Sequence, residues 1–297
     1  MTNKNLCYSL LFALLLGVLG CNSNKPKEEE NAPVPTADTV HAKKIETIVR
    51  TIPSPLQVAA MLRQSGAKYM DDILNPASNV SKYSTNFSRS LALGIYTADL
   101  AYAAMMNKTQ KAVTCMEAVL KVTDGMGMTE ILESTNALKR FQGNLANQDS
   151  LVEIIAELEQ ESDAFLQEDK RLNTATLVLT GGWLEGLYIG TKLIEKTPNE
   201  MLTKRIGEQK LILNSLITLL SEYPNEPDFV TMVKDLKELQ PVYEKVGMNH
   251  TEQESSTDEK TKVTTLGDKS EVMISPELLK EISAKVDVLR NKIINNK

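Results

Sequence analysis

Two acids lie where an acid is costly. Asp99 falls inside Leu91–Met106 and Glu185 inside Leu177–Ile194, the most apolar stretches beyond residue 21. Each is followed one helical turn later by a tyrosine, Tyr102 and Tyr188. A carboxylate in an apolar helix must be hydrogen-bonded or paired. Three arrangements meet that need. Each acid can accept a bond from a tyrosine, serine or arginine and so fix helix register. The two can converge on a pocket for a cation, an amine or a polar small molecule, walled by Tyr102, Tyr188 and Trp183. Or they can form an acid–base pair, as in glycoside hydrolysis.

Composition removes most other chemistries. The chain has two histidines, His41 in a polar N-terminal stretch and His250 in a second polar stretch, Met248–Lys262. A core without imidazole excludes Ser-His-Asp and Cys-His catalysis and most zinc or haem ligation. No metal site and no cofactor are expected. The formal net charge is −6, which repels phosphate backbones, so nucleic acid is excluded as a partner. Of the three cysteines, Cys115 has apolar neighbours at helical spacing and reads as a small buried hydrophobe.

The elements that must position the acids read as helices throughout. Ser54-Pro55-Leu56-Gln57 combines a capping serine, proline at the first helical position and Gln at the third. Thr197-Pro198-Asn199-Glu200 repeats that pattern, Ser150-Leu151-Val152-Glu153 echoes it, and Ser275-Pro276-Glu277 opens a last amphipathic helix. Periodicity predicts helices over 55–65, 87–106, 109–125, 129–143, 150–170, 173–195, 198–222, 227–246 and 276–294. Val263 and Thr265, then Val272 and Ile274, alternate about Gly267-Asp268 and predict a β-hairpin lying on the helical body. The expected organisation is a helical core over 53–247, a mobile linker over 248–262, and the hairpin with its helix over 263–297. This is an all-α class, a multi-helix bundle or orthogonal array.

Helices 87–106 and 173–195 also resemble each other. At an offset of 86, Leu91 matches Leu177, Leu93 matches Leu179, Asp99 matches Glu185 and Tyr102 matches Tyr188. Such matching implies two like units about a pseudo-twofold axis. Gly182, Gly186 and Gly190 recur every fourth residue, and Gly94, Ala98 and Ala101 make a comparable small face. Glycine costs about 1 kcal/mol in a helix interior, so a run of them implies a close backbone crossing. In lipid this spacing drives transmembrane dimers, but Glu185 interrupts it and basic flanks are missing.

The N-terminus speaks to location. Lys4 precedes the apolar run Leu6–Leu19, which is short for spanning ~30 Å of hydrocarbon. It ends in Val18-Leu19-Gly20-Cys21, which resembles the lipobox of bacterial lipoproteins. That resemblance implies a signal peptide over 1–20, cleavage before Cys21 and acylation of Cys21, with loss of Lys4 taking the net charge to about −7. Asn22–Val40 is rich in Pro, Lys and Glu, as in a flexible tether, expected over 21–52. An ordinary secretory signal ending near a cysteine is the alternative. By analogy with diderm lipoproteins, Asn22 in place of Asp implies export to the outer membrane. Glu28–Glu30 looks like the surface-export signals of Bacteroidota lipoproteins, so the body faces either the periplasm or the cell surface.

Leu93–Leu100 and Gly181–Tyr188 look like stretches of a family of helical Bacteroidota lipoproteins, a similarity running over most of 53–297. The resemblance implies an all-helical body and an anchor, and no activity. The expected function is a non-catalytic scaffold or partner-binding lipoprotein of the envelope. The alternatives are a small-ligand or cation-binding lipoprotein with its site between helices 87–106 and 173–195, and a hydrolase using Asp99 and Glu185. Cys21→Ala is expected to abolish incorporation of a labelled fatty acid and leave the chain soluble or uncleaved. Label retained by that variant would remove the anchor.

Overall fold

Ser54 starts the first helix as its sequence dictates. Its hydroxyl accepts the Gln57 N–H, the Gln57 side chain accepts the Ser54 N–H, and Pro55 sits in the first turn of α1 (Pro55–Gln64). This computed structural model describes residues 47–130, 136–168, 171–251, 256–258, 263–265 and 269–296. The expected signal peptide (1–20), Cys21 and the tether up to residue 46 lie outside the described residues. Residues 48–52, also expected in the tether, instead belong to the body: Ile52 is buried, and Ile48 and Val49 pack against the core.

Two helices form the centre. A 3₁₀ turn (Ala77–Lys82) leads to α2 (Asn86–Met105), capped by a reciprocal Thr85–Ser88 box. α3 (Thr109–Asp124) folds back on α2, followed by α4 (Ala137–Gly143) and α5 (Gln148–Glu168). The second central helix is α6 (Leu172–Lys196), and α7 (Glu200–Leu220) folds back on it. α8 (Pro227–Lys237) and α9 (Gln240–Glu244) pack on α7, and α10 (Pro276–Ile294) closes over α6, α2 and α9. The class is all-α. Among the described residues, no helix is long and apolar enough to cross a membrane.

Some boundaries move, each for a local reason. Thr197 ends α6 by donating its N–H to Leu193, so the next helix is capped by Asn199, whose side chain accepts the Leu202 N–H. The span 227–246 divides because Pro241 supplies no N–H and begins a new turn. The strands also pair otherwise than expected. β1 (Gly247–Thr251) pairs with β4 (Lys269–Met273), and β2 (Ser256–Asp258) with β3 (Val263–Thr265), both antiparallel. Val263–Thr265 and Val272 therefore sit on different ladders, and much of the stretch expected as a linker is strand. Gly267-Asp268 lies outside the described residues. β4 lies on α7, where Gly207 leaves room for the Val272 side chain.

The close crossing joins α2 to α6. A Cβ on Gly94 would collide with the Val178 carbonyl oxygen and lie 2.6 Å from the Gly182 nitrogen. A Cβ on Gly181 would collide with the Leu91 carbonyl. Of the expected stripe, Gly182 shares in this crossing and the rest packs against other helices. Gly182 and Gly186 face Pro55 and Val58 of α1, and Gly190 faces Ile206 of α7 and Leu62 of α1. So Gly94, Gly181 and Gly182 bring the two central backbones together, while Gly182 and Gly186, with Gly190, make room for α1. Ala98 and Ala101 are buried along α2. Leu91 meets Gly181 and Gly94 meets Val178 and Gly182 at the crossing, and further along both helices Asp99 reaches Glu185, so the two run parallel near the offset at which their sequences match.

Gly94→Ala and Gly181→Ala are each expected to destabilise the fold by about 3 kcal/mol, because relief requires moving backbone. Gly186→Ala meets only a side chain and gains helix propensity of about 1 kcal/mol, so its change should stay within ~1 kcal/mol. Equal losses for all three in denaturant melts would show that the α2–α6 crossing is not the tight point.

Candidate functional site

The parallel crossing brings Asp99 and Glu185 together. Both are 0 % exposed. Glu185 is held by Arg290 of α10 in a bidentate pair, Nε to Oε2 at 2.9 Å and Nη2 to Oε1 at 2.7 Å. The same Nη2 donates to the Ile73 carbonyl at 2.9 Å. The guanidinium lies 4.1 Å from the centre of the Tyr188 ring, a cation–π contact. Asp99 accepts the Asn75 N–H through Oδ2 at 2.9 Å. Asn75 in turn donates to Tyr83 and accepts from Asn79.

Of the five residues expected to bind a ligand, three converge here: Asp99, Glu185 and Tyr188. The other two do not. The Tyr102 hydroxyl accepts the Met70 N–H at 3.1 Å, and its ring stacks on Tyr69. Trp183 donates Nε1–H to Gln209 of α7 at 2.9 Å. None of the five lines either of the two cavities described below.

One proton completes the cluster. Burial, then the neighbouring Glu185 charge, holds the Asp99 carboxyl well above its ordinary range, outweighing Arg290 and the Asn75 N–H. Asp99 Oδ1 receives no donor. A proton on Asp99 would let the two acids share one negative charge, which Arg290 balances. Both carboxyls are 0 % exposed and engaged within the cluster, so neither presents an oxygen to solvent. It is the first arrangement the sequence allowed, an acid fixing register, with an arginine as partner.

A different place is open. A cavity of about 570 Å³ lies on the flank of the central pair, between α2, α3, α5, α6 and the segment before α1. Its walls are mostly aliphatic and include Leu93, Leu100, Ile155, Leu158, Val178 and Leu179. Its polar end is formed by Glu159 and Asp163, one turn apart on α5, with Arg50 and Ser54 nearby. Glu159 Oε1 accepts the Leu56 N–H of α1 at 3.1 Å. Burial pushes the Glu159 carboxyl up to about 7, against the opposing bonds from Ser54 and Leu56. Burial also raises Asp163. A second cavity, about 260 Å³, is rimmed by Asp71, Asn75 and Lys111, in part the polar segment before α2. Among the described residues, no group of three or more His, Cys, Asp or Glu is placed to hold a metal.

Arg290 and Glu159 escaped the sequence reading. Both carried a signal: each is a charged residue on an apolar stripe, Arg290 four after Val286 and Glu159 four after Ile155. Comparison with protein-family models, with curated proteins and with solved structures finds no match.

Glu185→Gln leaves the Arg290 charge buried without its counter-charge, and should cost about 3–5 kcal/mol. A loss under ~1 kcal/mol would show that the pair does not hold the core. Asp99→Asn keeps an acceptor for Asn75 and a donor for Glu185. Because the folded carboxyl titrates above the unfolded one, wild-type stability falls as pH rises above the unfolded value. The gain of Asp99→Asn over wild type should therefore grow between pH 4.5 and pH 8 in thermal melts. A pH-independent difference would show Asp99 ionised in the fold.

Proposed function

We propose that this chain is a non-catalytic, lipid-anchored protein of the cell envelope whose helical body binds an apolar small molecule. The observation that carries the reading is the flank cavity. At about 570 Å³ it falls within the range of small-molecule sites, about 300–1,000 Å³, and like them it pairs apolar walls with a few polar groups. The hydrolase reading loses its residues. A general acid or base must reach the proton it moves, whereas Asp99 and Glu185 are fully buried and bound to Arg290 and Asn75.

The ligand therefore sits beside α2 and α6, not between them. Leu93, Leu100, Val178 and Leu179 replace Asp99 and Glu185 as the lining. A protein partner has less support, since the exposed large apolar residues Met201, Leu211, Val230, Met273 and Val288 are spread over four elements. The anchor rests on the lipobox-like Val18–Cys21 and on the polar stretch after it. Acyl chains on Cys21, at about 0.8 kcal/mol per buried methylene, would hold the body at the outer membrane, facing the periplasm or the cell surface. There, an apolar molecule leaving a bilayer meets water, and a protein cavity shields it.

The neutral dye N-phenyl-1-naphthylamine is expected to bind saturably, one per chain, with enhanced fluorescence. Ala175→Trp, which fills the cavity from α6, should abolish the enhancement while leaving the melting temperature within a few degrees. Unchanged dye binding in a folded Ala175→Trp variant would remove the cavity as the site.

A further inference from the structure

The polar atoms of the flank cavity are unevenly committed. Its hydroxyl donors are largely spent on their own surroundings. Thr97 donates to the Leu93 carbonyl at 2.8 Å and Thr123 to the Val119 carbonyl at 2.8 Å. Ser54 is bound in the α1 cap and to Glu159. Gln57 is held by the Ser54 N–H. Beside the donors of Gln57, Ser162, Gln167 and Arg50, the cavity offers two carboxyl acceptors: the lone pairs of Glu159 not taken by Leu56 and Ser54, and the carboxylate of Asp163 at the mouth. A carboxylate has about four acceptor sites, so the bonds from Leu56 and Ser54 do not saturate Glu159.

The charges tell the same story. Glu159 is bonded by Ser54 and the Leu56 N–H and feels the Asp163 charge on its own helix; Arg50 is the other charged residue of the lining, and Gln57, Ser162 and Gln167 are neutral polar ones. α2 and α3 offer only Thr97 and Thr123, and α6 presents aliphatic side chains. Arg50 is exposed at the rim and is engaged in an interaction of its own. Two carboxyls against one arginine leave the polar end acceptor-rich and, once Glu159 ionises, negative.

We propose that the flank cavity selects an amphiphile with a cationic, hydrogen-bond-donating head, an amine on an aliphatic body, whose head sits between Glu159 and Asp163. This deepens the binding function proposed above and rests on it. An ammonium supplies three donors where the cavity supplies acceptors. It also neutralises the partly desolvated charge that burial opposes. A carboxylate-headed lipid would face like charges, and an alcohol would gain the apolar contacts alone.

The test compares three heads on one tail: decylammonium, decanol and decanoate, each below its micelle concentration, titrated calorimetrically into the full chain carrying Cys21→Ala. Decylammonium should bind at least tenfold more tightly than decanol at pH 8, with decanoate weakest. The preference should shrink several-fold at pH 5.5, as Glu159 takes up its proton. Glu159→Gln with Asp163→Asn should bring decylammonium and decanol within twofold while leaving decanol affinity unchanged, which also shows the variant folded. Equal affinity for all three heads, or preference for decanoate, would overturn the cationic head and leave the apolar cavity standing. No binding of any of the three would overturn both.

Discussion

Everything in the core follows from two backbones that touch. At Gly94 and Gly181 neither α2 nor α6 has room for a single methyl group. Protein interiors are packed as tightly as organic crystals, so such a contact admits one register and almost no slip. The helices run parallel, and parallel neighbours cannot be joined by a tight turn. The chain needs a crossover, supplied by α3, α4 and α5. The same crossover roofs the flank cavity, because α5 must span both central helices on its way to α6. Cavity and crossing are thus two results of one topology.

The register also explains the charges. Once the crossing is set, Asp99 and Glu185 face each other in the driest part of the molecule. Two ionised carboxylates there would repel strongly, and a neutral pair would leave Arg290 alone. One proton and one guanidinium satisfy both constraints. Replacing such a cluster by hydrocarbon is often neutral or stabilising, so its value lies in specificity. It admits only the docking of α10 that delivers Arg290, and Ile73 and Tyr188 then hold that arginine from two other sides.

Much of this was legible in the chain. The capped starts at Ser54 and Ser275, the two apolar helices and their matching offset all follow from local spacing, which helices express directly. The pairing of Asp99 with Glu185 followed less directly, because equivalent positions of a repeat meet only if the helices run parallel. Arg290 was hidden because its partner lies 105 residues away, and no local pattern says which acid an arginine will reach. The strand pairing failed for a related reason: alternation marks a strand but not its neighbour. The cavity is the hardest case, since it is made by five segments and marked only by Glu159 on an otherwise apolar stripe.

The position of Arg290 near the C-terminus has a bearing on the timing of folding. Until α10 arrives, Glu185 has no counter-charge, and any early collapse around α2 and α6 must bury an uncompensated acid. A chain emerging N-terminus first therefore meets an electrostatic barrier to closing its centre before its last helix is made. The same ion pair that locks the finished core thus holds off its premature assembly.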